Sequence, residues 1–282
     1  MTLAMNYRHA YHAGNFADVH KHATLGLMIE HLTRKEAAFA YLDTHAGLGL
    51  YDLTSVQAEK TGEWQAGIAR VMAAPNPPPS AAPLLRVVRT LNPDGALRFY
   101  PGSPAVVAAL SRPHDRLALC ELHPEDAADL RRRFAADARV GVHHRDGYDG
   151  IKALVPPPER RGLVLVDPPF EKPGEFERMR GGLAQGLKRW STGIYALWYP
   201  IKDREPVARF HADLSMMGLK SAFAAELMIK PGDNPQTLNG CGLVVVNPPW
   251  QLDTAMAELL PWLAEALAPG IGSWRVEPLT LR

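Results

Sequence analysis

Two cysteines in 282 residues give no basis for a disulfide framework. Cys120 and Cys241 each lie in or beside an apolar, strand-like run, which reads as two buried thiols and a reducing, cytoplasmic setting. No stretch reaches the ~18 consecutive apolar residues of a membrane span. Residues 1–12 lack the apolar core of a secretory signal, so no membrane partner is expected. The formal net charge is only +1, which excludes a chain that holds nucleic acid by bulk charge. Basic residues do gather at Arg131-Arg132-Arg133, Arg160-Arg161 and Lys188-Arg189. Each cluster fits a solvated face or strand-entry turn as well as it fits RNA. His12, His20 and His22 stand close to Asp18, but no cysteine joins them and the spacing fits no familiar zinc motif. No metal is expected there; these residues read as the polar lining of a ligand pocket.

What is present is an apolar share of 46%, enough for one large α/β domain. Strands are expected near residues 38–42, 116–121, 140–143, 163–166, 193–198, 222–229 and 243–246. Helical patterns separate most of them. This predicts a doubly wound, seven-stranded, Rossmann-like sheet whose last pair is an antiparallel hairpin. Residues 23–32 carry helical spacing, with Asp18 as the expected cap. Mixed helical patterns and Pro77-Pro78-Pro79 mark a helical insertion at about 53–97 within that single domain.

The first strand runs into Asp43-Thr44-His45-Ala46-Gly47-Leu48-Gly49. Gly47 and Gly49 let a ligand approach the backbone closely. A dinucleotide fingerprint wants a third small residue where Asp52 stands, so nicotinamide chemistry is disfavoured. The second strand ends in Glu121, which either accepts ribose hydroxyls or is an ordinary loop acid. Asp146-Gly147 either holds an adenine edge or is an ordinary turn. Ser103-Pro104 reads as a helix cap with proline at the first helical position, which either caps only or adds a pocket contact at the helix start.

The chemistry concentrates in Asp167-Pro168-Pro169-Phe170, straight after the buried run Leu163-Val164-Leu165-Val166. The amine of a nucleobase is a poor nucleophile because its lone pair is delocalised into the ring. Asp167 and the Pro168 carbonyl can accept its two hydrogens and favour a pyramidal nitrogen. Phe170 can stack on the base, which contributes roughly 1–3 kcal/mol. Asn247-Pro248-Pro249-Trp250 repeats the pattern. It follows the last strand of the hairpin, whose carboxyl end faces away from the ligand crevice, so it is expected to be a structural turn.

Taken together these motifs resemble the bacterial 23S ribosomal RNA large-subunit methyltransferase J family. The resemblance covers nearly the whole chain. It rests on Tyr7-Arg8-His9, His12-Ala13-Gly14-Asn15, Ala17-Asp18-Val19, Lys21-His22, Asp43-Thr44-His45-Ala46-Gly47, Tyr100-Pro101-Gly102-Ser103-Pro104, Glu121-Leu122-His123-Pro124, Asp167-Pro168-Pro169, residues 193–200 and Asn247-Pro248-Pro249-Trp250. It implies methyl transfer from S-adenosyl-L-methionine to the 6-amino group of an adenine in 23S rRNA, by a monomer acting on naked or partly assembled RNA. It implies that Asp167, with Pro168 and Phe170, is catalytic. It implies that Lys21, His22, His45, Gly47, Ser103, Glu121, Asp146, Gly147 and Asp167 meet the methyl donor. Tyr7 and Arg8, in the N-terminal motif at 6–22, and Phe170 would touch the substrate. Phe170 stands where the family usually has tyrosine, Leu48 and Leu50 replace smaller or basic residues, and His20 replaces an apolar one. None of these departures removes a group the chemistry needs.

Overall fold

The computed structural model describes residues 9–232 and 234–279, and ten strands form among them. They are β1 (Ala40–Asp43), β2 (Leu50–Asp52), β3 (Phe99–Pro101), β4 (Arg116–Glu121), β5 (Val140–His144), β6 (Gly162–Val166), β7 (Ile194–Ile201), β8 (Ala222–Met228), β9 (Gly240–Val246) and β10 (Ser273–Pro278). Eight make one sheet in the order β10-β8-β9-β7-β6-β1-β4-β5. β2 and β3 form a separate antiparallel ribbon. The central strands β5, β4, β1, β6 and β7 run parallel. β9 runs against both β7 and β8. Strand order reverses between β1 and β6, which places the crevice of the sheet at their carboxyl ends.

All five residues of β6 are buried. Leu163 and Leu165 join one core with Val19, Leu25 and Met28, while Val164 joins a second with Met179 and Leu183. A strand covered on both faces has no polar alternation, hence its unbroken apolar run. It starts at Gly162, with φ of +151°, where a Cβ would lie 1.8 Å from the Ala40 carbonyl oxygen. Only glycine fits so close an approach.

The seven expected strands all form, and the hairpin is β8–β9 with β9 reversed. β7 runs on to Ile201, beyond the expected end at Trp198. Pairing with β6 stops at Leu197, so Pro200 meets no ladder on that side and its missing N–H costs nothing there. The sheet also has an eighth strand that periodicity did not suggest: β10, antiparallel to β8. Its charged residues and terminal proline suit an edge strand.

Helix α1 (Phe16–Thr33) begins earlier than expected. Its cap is Asn15, not Asp18: the Asn15 Oδ1 accepts the Asp18 N–H at 3.0 Å. The helix is buried nearly all round, including His20, Lys21 and His22. Polar residues inside a buried helix hide its apolar period from the sequence. Between β2 and β3 lie the short helices Val56–Thr61, Glu63–Ala66 and Ile68–Ala73 and the longer Ala82–Leu91. No helix among the described residues is long and apolar enough to cross a membrane.

β10 also neutralises a buried charge. Glu226 of β8 has no exposed surface. Arg275 of β10 donates to it at 2.6 and 3.1 Å, Tyr199 donates at 2.9 Å, and Arg204 also pairs with it. Burial opposes the charge, but the two guanidinium groups hold the carboxyl below its usual range. Arg275→Leu should lower unfolding free energy by about 3 kcal/mol, read by urea titration at neutral pH. An unchanged midpoint would show that Arg204 suffices.

Candidate active site

The carboxyl ends of β1, β4, β6 and β7, with α1 beside them, enclose a cavity of about 400 Å³. That is the size range of a small-molecule site. Every described residue singled out for the site lines it. Tyr7 and Arg8 lie outside the described residues.

At one end Glu121 closes β4. Its Oε2 accepts the Gly47 N–H at 2.8 Å and its Oε1 accepts the His123 N–H at 2.7 Å. Burial pushes its pKa up against those two bonds. The carboxylate therefore has a fixed orientation, with lone pairs left for a donor in the cavity. Beside it Asp146 is a helix cap rather than a turn residue. Its Oδ1 accepts from the Tyr148 and Asp149 amides at 2.8 and 3.3 Å, and its Oδ2 meets Arg178 at 3.2 Å. A Cβ on Gly147 would lie 2.2 Å from the Thr44 carbonyl oxygen, so the helix start packs directly on the loop after β1.

Deeper in, Ser103 is not the expected cap. The cap position is Gly102 and makes no side-chain bond; Ser103 is the first helical residue. Its hydroxyl donates to Asp43 Oδ2 at 2.7 Å, where Tyr41 also donates at 2.7 Å. Burial raises the Asp43 pKa to about 6. His22 pairs through Nδ1 with the Tyr100 hydroxyl at 2.9 Å, and burial lowers its pKa to about 3, so it is neutral. His45 has its Nδ1 2.7 Å from the Thr44 hydroxyl and stands edge-on to Tyr148.

The other histidines near the chain start diverge. His12 turns to Glu63 at 3.0 Å. His20 turns to the Cys241 sulfur at 3.4 Å. Both cysteines are buried free thiols, and burial pushes their pKa values up.

The Asp167-Pro168-Pro169-Phe170 corner of the cavity follows β6. Asp167 Oδ2 lies 2.5 Å from the Lys21 ammonium, which also donates to Asp18 Oδ1 at 3.0 Å. Lys21 is buried, which opposes its charge, yet the two carboxylates raise its pKa well above normal. It stays an ammonium. Asp18 Oδ2 takes the Gly14 amide at 3.0 Å and His9 Nε2 at 2.9 Å. Phe170 sits in the left-handed region with φ of +51°. An aromatic residue is strained there, by roughly 1–2 kcal/mol. Its ring is held by Phe176 at 5.1 Å and Trp198 at 6.0 Å, both near edge-on.

Asn247-Pro248-Pro249-Trp250 stands at the opposite end of the sheet, because β9 is reversed. The Asn247 amide donates to the Ser191 and Gly193 carbonyls at 2.9 and 2.8 Å, and Trp250 is 78% exposed. It is a structural turn.

Several cavity residues were not singled out from the sequence as part of the site: His9, Glu63, Trp198, Glu175 and Arg178. Trp198 and Glu175 lie in elements that read as ordinary strand and helix. Only their position at a shared sheet end brings them to the site.

A doubly wound sheet with β9 and β10 reversed, a glycine loop after β1, an acid closing β4 and an Asp-Pro-Pro-aromatic loop after β6 defines a Rossmann-like methyltransferase fold. A family model described as "Ribosomal RNA large subunit methyltransferase D, RlmJ" matches residues 36–280. "Ribosomal RNA large subunit methyltransferase J" of Escherichia coli (strain K12) is 44% identical over 265 residues, 94% of this chain and 95% of that protein. Its namesake from Haemophilus influenzae is 43% identical over 278 residues, 98% and 99% of the two chains. The crystal structure of protein LPL1258 from Legionella pneumophila superposes with a TM-score of 0.88 at 34% identity, covering 94% of this chain and 98% of that one. The chain belongs to this ribosomal RNA large-subunit methyltransferase family.

Gly147→Ala should force the helix start off the loop after β1. The expected cost is about 1–3 kcal/mol, read as a fall in melting temperature. A melting temperature equal to that of the parent protein would mean that the loop yields freely.

Proposed function

We propose that this chain transfers a methyl group from S-adenosyl-L-methionine to the 6-amino group of an adenine in 23S rRNA. The observation that carries the reading is Asp167: an acid at the end of β6, tied to a buried ammonium and followed by Pro168 and a strained aromatic ring. The donor set fits the methyl donor. Glu121, oriented by two backbone amides, suits ribose hydroxyls. Gly47 and Gly147 keep the backbone open to a nucleoside, with Asp146 beside its base. Neutral His22, His45 and the Ser103 hydroxyl suit the amino-acid end. S-adenosyl-L-methionine, when bound, supplies an electrophilic methyl on a positively charged sulfur.

The residues of this chain do the rest by position and electrostatics. Lys21 occupies Asp167 Oδ2, which leaves Oδ1 to accept from an incoming amine. Oδ1 and the Pro168 carbonyl accept the two amine hydrogens and turn the nitrogen lone pair out of the ring. Phe170 stacks on the base, which RNA must present unpaired. On transfer the methyl carbon's bond to sulfur would break as its bond to nitrogen forms, with that electron pair going to sulfur, and the nitrogen would give up one hydrogen as a proton to solvent, with Asp167 beside it. Tyr7 and Arg8 would complete the substrate contacts. We read the chain as a single domain with residues 53–97 as an insertion, acting as a cytoplasmic monomer on naked or partly assembled RNA.

The test is to incubate the protein with methyl-labelled S-adenosyl-L-methionine and protein-free 23S rRNA from cells lacking the enzyme, then identify the labelled nucleoside. Label in 6-methyladenosine is expected. Label in 2-methylguanosine alone would overturn the choice of base. Asp167→Ala should lower kcat by about a thousand-fold or more, while calorimetry still detects the methyl donor binding.

A further inference from the structure

The segment between β2 and β3 touches the N-terminal segment at several points, and one of its side chains, Glu63, holds two residues there. Glu63 Oε1 lies 3.0 Å from His12 Nδ1, and its Oε2 accepts from the Asn15 amide at 3.0 Å. The same Asn15 side chain caps α1 through its oxygen, taking the Asp18 N–H at 3.0 Å. Asp18 then holds the Lys21 ammonium at 3.0 Å, and Lys21 holds Asp167 at 2.5 Å. Glu63, Asn15, Asp18, Lys21 and Asp167 therefore form one continuous chain of polar contacts. It runs from the rim of the cavity to the catalytic carboxylate. Two backbone contacts keep the rim end in register. Ile68 N–H donates to the Gly14 carbonyl at 2.8 Å, and a Cβ on Gly67 would lie 2.0 Å from that oxygen.

We infer that Glu63 is a positioning residue for methyl transfer: through Asn15 it fixes the first turn of α1, and with it the Lys21 ammonium that aims Asp167. This rests on the reading of Asp167 given above. The side chains of Glu63 and His12 are 37% and 38% exposed, so as a plain surface ion pair theirs would add little stability. The role shows in geometry instead. Asn15 has two polar ends and both are used. Without Glu63 its amide loses the partner that sets its rotation, and the cap loosens at the turn that carries Asp18. A misplacement of about 1 Å at a reacting group can cost on the order of a hundred-fold in rate.

The experiment measures kcat, the KM for rRNA, methyl-donor affinity and melting temperature for four variants in one assay. Glu63→Ala should lower kcat about ten- to a hundred-fold, with the RNA KM and donor affinity within about three-fold of the parent protein. Glu63→Gln keeps the length and one oxygen for Asn15, and should restore most of kcat. Gly67→Ala leaves Glu63 intact but pushes the two segments apart, and should lower kcat in the same way. Asp167→Ala is the control for the underlying reading. If it retains activity, the assignment of Asp167 fails and the inference falls with it. If Asp167→Ala is inactive but Glu63→Ala and Gly67→Ala turn over normally, the assignment stands and the relay is wrong. A Glu63→Ala loss confined to KM, or not restored by Gln, also refutes a positioning role.

Discussion

A buried ammonium cannot stand alone. Lys21 has almost no contact with water, and an unpaired charge in that place would cost several kcal/mol. Asp18 and Asp167 resolve this together, one from its own helix and one from the end of β6. The pairing binds α1 to the sheet at the cavity's edge. It also fixes the orientation of a carboxylate that would otherwise rotate freely at a loop start. The same contact that makes the burial tolerable holds Asp167 at the cavity wall. Around it the site is organised by similar constraints: two backbone amides fix Glu121, two hydroxyls fix Asp43, and a helix start fixes Asp146.

Strand polarity then decides which of two similar loops opens into the cavity. Asp167-Pro168-Pro169-Phe170 and Asn247-Pro248-Pro249-Trp250 both follow buried apolar strands. Both place a residue in the left-handed region, Phe170 with φ of +51° and Asn247 with φ of +52°. As local sequence they are hard to separate. β6 runs with its neighbours and β9 runs against them, so one loop opens into the crevice and the other caps the start of β7 from the far end.

The placement of α1 shows why some of this was unreadable. Its first turns, with His20, Lys21 and His22 inside, do not look like a core helix. The apolar period is broken by residues that are buried for their contacts rather than their hydrophobicity. The short edge strand β10 was missed for a related reason. Its role is to cover β8 and to answer the Glu226 charge, and neither leaves a mark in local periodicity.

The residues of this chain determined by themselves the apolar strands, the glycine loop, the acids that end two strands and the proline-locked Asp167. They did so because burial on both faces, close backbone approach and fixed φ each demand particular side chains at adjacent positions. The tertiary structure alone decided the partners. Lys21 meets Asp167 across 146 positions of chain and Arg275 meets Glu226 across 49. Glu63 reaches Asn15 from a segment that the sequence marks only as a helical insertion. Such pairings depend on where elements pack in space, and on burial that makes an unpaired charge costly, and no local pattern encodes either.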